Sequence, residues 1–135
     1  MLIGLGIDLV HLPGFREQLA DTASSFVDAT FTAAEQRYAD GAVSGDRARH
    51  LAARYAAKEA ALKALDQACA VGGIAPSPVP LLDIEVARDD RGRPWLQLYN
   101  AAAALAEEAG VDKAHISLTH DGESAAAVVI LERLG

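Results

Sequence analysis

Cysteine occurs once in this chain, as Cys69, so no intrachain disulfide can brace it and a reducing compartment fits. Large aromatic anchors are few: three Phe, three Tyr and one Trp in 135 residues. Half of the residues are hydrophobic, but much of that is alanine; association between subunits is one way for such a chain to gain burial. Positive charge is also scarce. Twelve Lys and Arg against nineteen Asp and Glu leave a net charge of −7, which argues against a general binder of nucleic acid or anionic membrane, because nothing strongly basic covers the phosphates. No apolar run approaches the roughly 18 residues of a membrane span. The apolar N-terminus MLIGLGIDLV is interrupted by Asp8 and carries no basic stretch. The expectation is a soluble, cytoplasmic protein. Its length fits a single domain over residues 1–135, with about two-thirds of the unfolded surface buried on folding.

Periodicity organises what is present. LIGLGIDLV, residues 2–10, reads as a strand with Ile3, Leu5, Ile7 and Leu9 on one face and Gly4, Gly6 and Asp8 on the other. A helix follows Pro13 to about Ala20. Thr32 and Glu35 form a capping box for a short helix that Gly41 ends. The longest helix is expected over about Asp46 to Ala68, and VGGIAPSPVP, 71–80, reads as a connecting loop. Strands at 81–89 and 95–99 flank a DRGRP turn. An alanine-rich helix runs from Asn100 to about Ala109, and two strands, 113–120 and 124–133, meet at Asp121-Gly122. The fold class is α+β, a mainly antiparallel sheet packed on a long central helix.

The charges inside that helix, in RYAAKEAALKAL, raise a question of chemistry. At 3.6 residues per turn Tyr55, Glu59 and Lys63 share one column, and Arg54 and Lys58 the next. One reading is a solvated face with a Glu59–Lys63 pair worth a few tenths of a kcal/mol. The other is a metal–phosphate site, with the carboxylate on a hard cation and the cations on phosphate oxygens. Asp8, if it faces Glu59, completes a pair of carboxylates for a divalent metal. The GxG of GLGID lacks the third glycine of a dinucleotide loop; its glycines instead bare the backbone so that another element or a ligand can approach. His120 is either a general base, a phosphate contact or an incidental neighbour of the turn.

GIDLV, RYAAKEAALKAL, LLDIEV followed by GRP, and SLTHDGESAAAVVIL occur in this order across nearly the whole chain. In this the sequence resembles the holo-acyl-carrier-protein synthase family of 4′-phosphopantetheinyl transferases. AARYAAKEA with SLTHDGESAAA is most similar to actinobacterial members, some of which resemble the dedicated partners of type I fatty-acid synthases. The resemblance implies transfer of 4′-phosphopantetheine from coenzyme A to a serine of an apo acyl carrier protein or carrier domain in fatty-acid synthesis, with release of adenosine 3′,5′-bisphosphate. It implies Asp8 and Glu59 as Mg²⁺ ligands, and Lys58 and Lys63 near the coenzyme A pyrophosphate. It also implies Arg54 close to the phosphates, Gly92 and Pro94 beside the adenine, and His120 near the phosphates or the reacting centre. Glu59, a water on the metal or His120 would take the serine proton. A homotrimer with interfacial active sites is implied too.

Some positions depart from the family pattern. Tyr55 replaces Trp or Phe, and Thr119 replaces Ser. The first helix, where the family carries basic residues for docking the carrier, offers Arg16 with Glu17 and Asp21 nearby. A carrier domain tethered in a synthase depends less on long-range attraction, because tethering supplies effective concentration. Three other readings compete: a non-catalytic, coenzyme A-binding trimeric module; a nucleic-acid binder using Arg47, Arg49, Arg54, Lys58 and Lys63; and a domain whose charged helix is only solvated.

Overall fold

The structure is a computed structural model describing residues Met1–Gly135. Strand β1, Leu2–His11, leads into α1, Leu12–Ala20, then the short α2, Phe26–Thr30, α3, Ala33–Asp40, and the 26-residue α4, Arg47–Gly72. A 3₁₀ turn at Leu81–Asp83 precedes the hairpin of β2, Ile84–Arg88, and β3, Pro94–Leu98. Helix α5, Asn100–Glu108, and the hairpin of β4, Lys113–Asp121, and β5, Ser124–Glu132, complete the chain. All strand pairings are antiparallel, in two sheets: β1-β5-β4 and β2-β3. The N-terminal strand therefore pairs with the C-terminal one.

Local chemistry sets the helix ends. The Thr32 hydroxyl accepts from the Glu35 N–H, and the Glu35 carboxylate accepts from the Thr32 N–H, the reciprocal capping the sequence predicts. Asp46 caps α4 by accepting from the Arg49 N–H. That helix runs four residues past the expected Ala68. Gly72 stays helical, and Gly73, at φ 66°, takes the left-handed conformation that closes it. The five-residue α2 went unread because FVDAT carries neither cap nor period.

The core is an alanine seam. Ala52, Ala56, Ala57, Ala60, Ala61, Ala64 and Ala68 of α4 are buried against the sheet, where β5 offers Ala125, Ala127 and Val129. Beneath this seam the glycines of β1 meet helix backbone. A Cβ on Gly6 would fall 2.8 Å from the Ala60 carbonyl carbon, and closer still to its oxygen. One on Gly4 would fall 3.1 Å from the Ala64 carbonyl carbon. The element that the bare face admits is thus α4. The scarce aromatics are pooled rather than spread: Phe15, Phe26, Phe31 and Tyr55 form one cluster, with ring centroids 5.6 to 6.4 Å apart.

The apolar alternation of β1 is not the core face. A register shift at Leu2/Gly4 leaves Ile3 buried, while Leu5, Ile7 and Leu9 face outward at 48, 66 and 70% exposure. Across the sheet they align with Ile130, Val128 and Ala126. The outer face of the β1–β5 pair is therefore apolar, and β4 adds the exposed His115, Ser117 and Thr119 beside it.

Candidate active site

Two elements bring the carboxylates together. Asp8 sits on the inward face of β1, two residues beyond Gly6, and Glu59 lies on α4 beside Ala60, which Gly6 touches. The glycine contact thereby holds Asp8 and Glu59 at the rim of one cavity of about 380 Å³, lined also by Leu9, Val10, His11, Phe15, Gln18 and Tyr55. Lys63, one turn beyond Glu59, does not pair with it. Its ammonium donates to Asp8 Oδ1 at 3.1 Å and to the Ile7 carbonyl at 2.9 Å.

Tyr55 is the residue whose role the sequence understated. Its ring packs on Phe15 and Phe26, and it also lines the cavity. Burial first, then the charge and close approach of Glu59, and last the charge of Asp8, raise the phenol pKa. The shared column of Tyr55 and Glu59 was the available signal.

Two carboxylates without a third clustered acidic, cysteine or imidazole ligand are a poor set for Zn²⁺, which takes three or four protein ligands. They fit a hard cation such as Mg²⁺, which binds one or two carboxylates and completes its shell with waters and substrate phosphate oxygens. The donor set therefore accommodates the implied metal.

A second cluster surrounds Tyr38. The Arg54 guanidinium carbon lies 4.1 Å from the Tyr38 ring centroid, and that of Arg88 4.4 Å. His50 meets the ring edge-on at 5.5 Å. Arg54 is 2% exposed, and its Nε and Nη2 have no hydrogen-bond partner. Burial, then the Arg88 charge, lowers its pKa. The His50 pKa is lowered by burial, then by the charges of Arg54, His120 and Arg88, which puts exposed His120, near the end of β4, in this cluster's field. Arg88 also donates to the Gly92 carbonyl in the turn before Pro94, so the G-x-P turn is tied to the same group. Buried, unpaired guanidinium donors beside other cations form a site for an anion. The sequence singled out Arg54, Gly92, Pro94 and His120 as candidates but not Tyr38, His50 and Arg88, which long-range packing brings to Arg54.

Lys58 does not join either cluster. It is fully buried, with its ammonium 2.8 Å from Glu35 Oε1. It donates to the carbonyls of Leu81, at 2.9 Å, and Ile84. Burial lowers its pKa, and the Glu35 carboxylate opposes that. In this structure Lys58 pins α4 to α3 and β2 and does not line the cavity of Asp8 and Glu59. The expected basic helix face is not formed either. Arg54 and Lys58 are buried, Arg47 pairs with Asp40 at 2.8 Å, and Arg49 lies 3.5 Å from Asp46. On α1, Arg16 is tied to Asp46 by two hydrogen bonds of 3.1 and 3.0 Å.

Comparison with known proteins agrees with this geometry. A family model described as the 4′-phosphopantetheinyl transferase superfamily matches residues 4–129. A holo-[acyl-carrier-protein] synthase of Nocardia farcinica is 43% identical over 99% of this chain and 90% of its own. One from Mycobacterium tuberculosis is 44% identical over 97% of both chains. Among solved structures, one described as a Chronobacterium ammoniagenes ACPS-CoA complex superposes with a TM-score of 0.80, at 39% identity and 98% coverage of both chains. With cavity, carboxylates and full-length match in agreement, this chain belongs to the 4′-phosphopantetheinyl transferase superfamily.

Proposed function

We propose that this protein is a holo-[acyl-carrier-protein] synthase, which transfers 4′-phosphopantetheine from coenzyme A to a serine of an apo acyl carrier protein or carrier domain. The observation that carries the reading is the pair Asp8 and Glu59 on one cavity, with Lys63 bonded to Asp8, in a chain matched over nearly its full length by holo-[acyl-carrier-protein] synthases. The serine oxygen forms a bond to the β-phosphorus of coenzyme A. The bond from that phosphorus to the bridging oxygen breaks, and adenosine 3′,5′-bisphosphate leaves with the electron pair. Such a transfer is largely positioning and charge neutralisation. Asp8 and Glu59 would hold Mg²⁺, which when bound neutralises charge on the pyrophosphate. Lys63 adds positive charge beside it. Arg54, with its unpaired donors, and His120 receive the phosphates at the nucleotide end, and Gly92 and Pro94 border the adenine. Glu59 or His120 accepts the serine proton.

The exposed apolar face of Leu5, Ile7 and Leu9 supports assembly as a homotrimer, and we place the protein in the cytoplasm. Arg16, engaged by Asp46, leaves α1 little free positive charge, which favours a carrier domain tethered within a synthase. Intact-mass spectrometry with coenzyme A and Mg²⁺ tests the reading on two apo substrates, a free acyl carrier protein and an isolated synthase carrier domain. A phosphopantetheine mass gain that disappears in Glu59→Gln is expected, with the synthase domain faster. Coenzyme A binding without mass gain on either substrate would favour the non-catalytic module.

A further inference from the structure

Two guanidinium groups share one ring where α3, α4 and β2 meet. That of Arg54 lies 4.1 Å from the Tyr38 ring centroid and that of Arg88 4.4 Å. Like charges this close repel each other, and neither arginine belongs to an ion pair. Each gives one hydrogen bond to a backbone carbonyl, Arg54 to His50 and Arg88 to Gly92. Glu85, the carboxylate on the same cavity wall, is engaged by the hydroxyls of Thr32 and Tyr99. What holds the two cations side by side is therefore the ring, whose π system attracts each of them. The ring itself is fixed. Glu35, one turn before Tyr38 on α3, accepts from the Val86 N–H at 2.9 Å, and Arg88 follows Val86 by two residues, on the same face of β2. His50 of α4 meets the ring edge-on at 5.5 Å. Arg88 is exposed at the end of its strand, so stacking on Tyr38 restricts it before any ligand arrives.

We propose that Tyr38 is a positioning residue for coenzyme A: its ring holds buried Arg54 and exposed Arg88 together on one cavity of about 220 Å³, so that both cations meet one phosphate of the substrate. This rests on the reading given above that Arg54 receives the phosphates. It adds Arg88 as a second phosphate ligand and Tyr38 as the group that sets the spacing of the two. The anion supplies the countercharge that the cluster lacks. Arg54 has donors without partners at Nε and Nη2, and Arg88 brings a second planar fork suited to phosphate oxygens. The ring carries the role, and the hydroxyl is not needed for it.

The test is titration calorimetry without carrier protein, using coenzyme A and dephospho-coenzyme A, which lacks the phosphomonoester and keeps the pyrophosphate. Tyr38→Leu, which keeps an apolar side chain and removes the π system, is expected to weaken coenzyme A binding about tenfold. Tyr38→Phe, which keeps the ring, should stay within about twofold of native. Arg88→Gln, at an exposed position where folding is not at stake, should also weaken binding about tenfold. In Tyr38→Leu/Arg88→Gln the loss should fall short of the product of the two single losses, because the ring then has one arginine fewer to place. A loss confined to coenzyme A identifies the phosphomonoester as the anion, and an equal loss on both ligands identifies the pyrophosphate; either supports the proposal. Native affinity in Arg88→Gln, or in Tyr38→Leu alongside a large loss in Arg54→Gln, would overturn it and leave the phosphate site at Arg54 standing. Fully multiplicative losses in the double variant, or a fall in Tyr38→Phe as large as in Tyr38→Leu, would overturn it too. Failure of the native protein to bind coenzyme A would overturn the functional reading and the inference together.

Discussion

Lys58 offers the sharpest test of the structure against the pattern of its sequence. Substitution by Met preserves the length of the side chain and removes the ammonium. Three contacts are then lost within the core. Glu35 keeps its bonds from the Thr32 and Val86 N–H groups, each 2.9 Å, but loses the countercharge at 2.8 Å. The carbonyls of Leu81 and Ile84 lose a donor. Both side chains of the pair are fully buried, so solvent cannot screen the loss. Removing one partner of such a pair costs about 3–5 kcal/mol, a large part of the roughly 5–15 kcal/mol that holds a domain together. For a chain of this size that is a fall in melting temperature of about 10–20 °C. Thermal unfolding followed by circular dichroism reads it directly. Lys58→Met/Glu35→Gln should recover part of the loss, since no unpaired charge then remains inside. Coenzyme A affinity, measured by calorimetry well below the transition, should change little. A variant within about 1 kcal/mol of native stability, yet with coenzyme A affinity reduced tenfold or more, would refute the reasoning and return Lys58 to the pyrophosphate.

Gly6→Ala should destabilise by more than about 3 kcal/mol, because the added methyl meets the backbone of Ala60 and Ala64, which cannot swing aside. Gly14→Ala on α1, where a Cβ meets nothing within 4 Å, should instead stabilise by about 1 kcal/mol; paired melts check both. The Asp46 pKa is lowered, first by its bond from Arg16. The sign follows from a folded value below the unfolded one. The contribution is complete above the unfolded value, near 3.9, and is lost as pH falls through the folded value. Arg16→Gln should therefore lower the melting temperature at neutral pH and flatten its decline below about pH 4, in melts run from acid to neutral pH.

What could be read in the sequence is what neighbours along the chain decide. The Thr32–Glu35 capping box, the column of Tyr55, Glu59 and Lys63, and the turn at Gly122 each depend on residues a few positions apart. The assembly of Asp8 with Glu59 was legible in part, because paired glycines announce that something must come close. The ion pair of Lys58 carried no local signal, because its partners lie 23 positions away, at Glu35 and Leu81, and 26 away, at Ile84. Helical spacing says which face a lysine occupies, not whether a carboxylate from another element waits there. The outward turn of Leu5, Ile7 and Leu9 escaped for a related reason. Alternation reports two faces, and only the contact of α4 with Gly4 and Gly6 decides which one is interior. Arg88 and Tyr38 carried no local signal, since their stacking with Arg54 joins β2, α3 and α4.

The contact of Gly6 with Ala60 also acts as a gauge. Where strand and helix touch backbone to backbone, no rotamer lies between them, so the span from Asp8 to Glu59 is set by covalent dimensions and carbonyl radii. Warming loosens side chains long before it stretches such a seat. The anchor points of the two carboxylates should therefore keep their calibration until the seam itself opens, and loss of the site and loss of the fold should then be a single event.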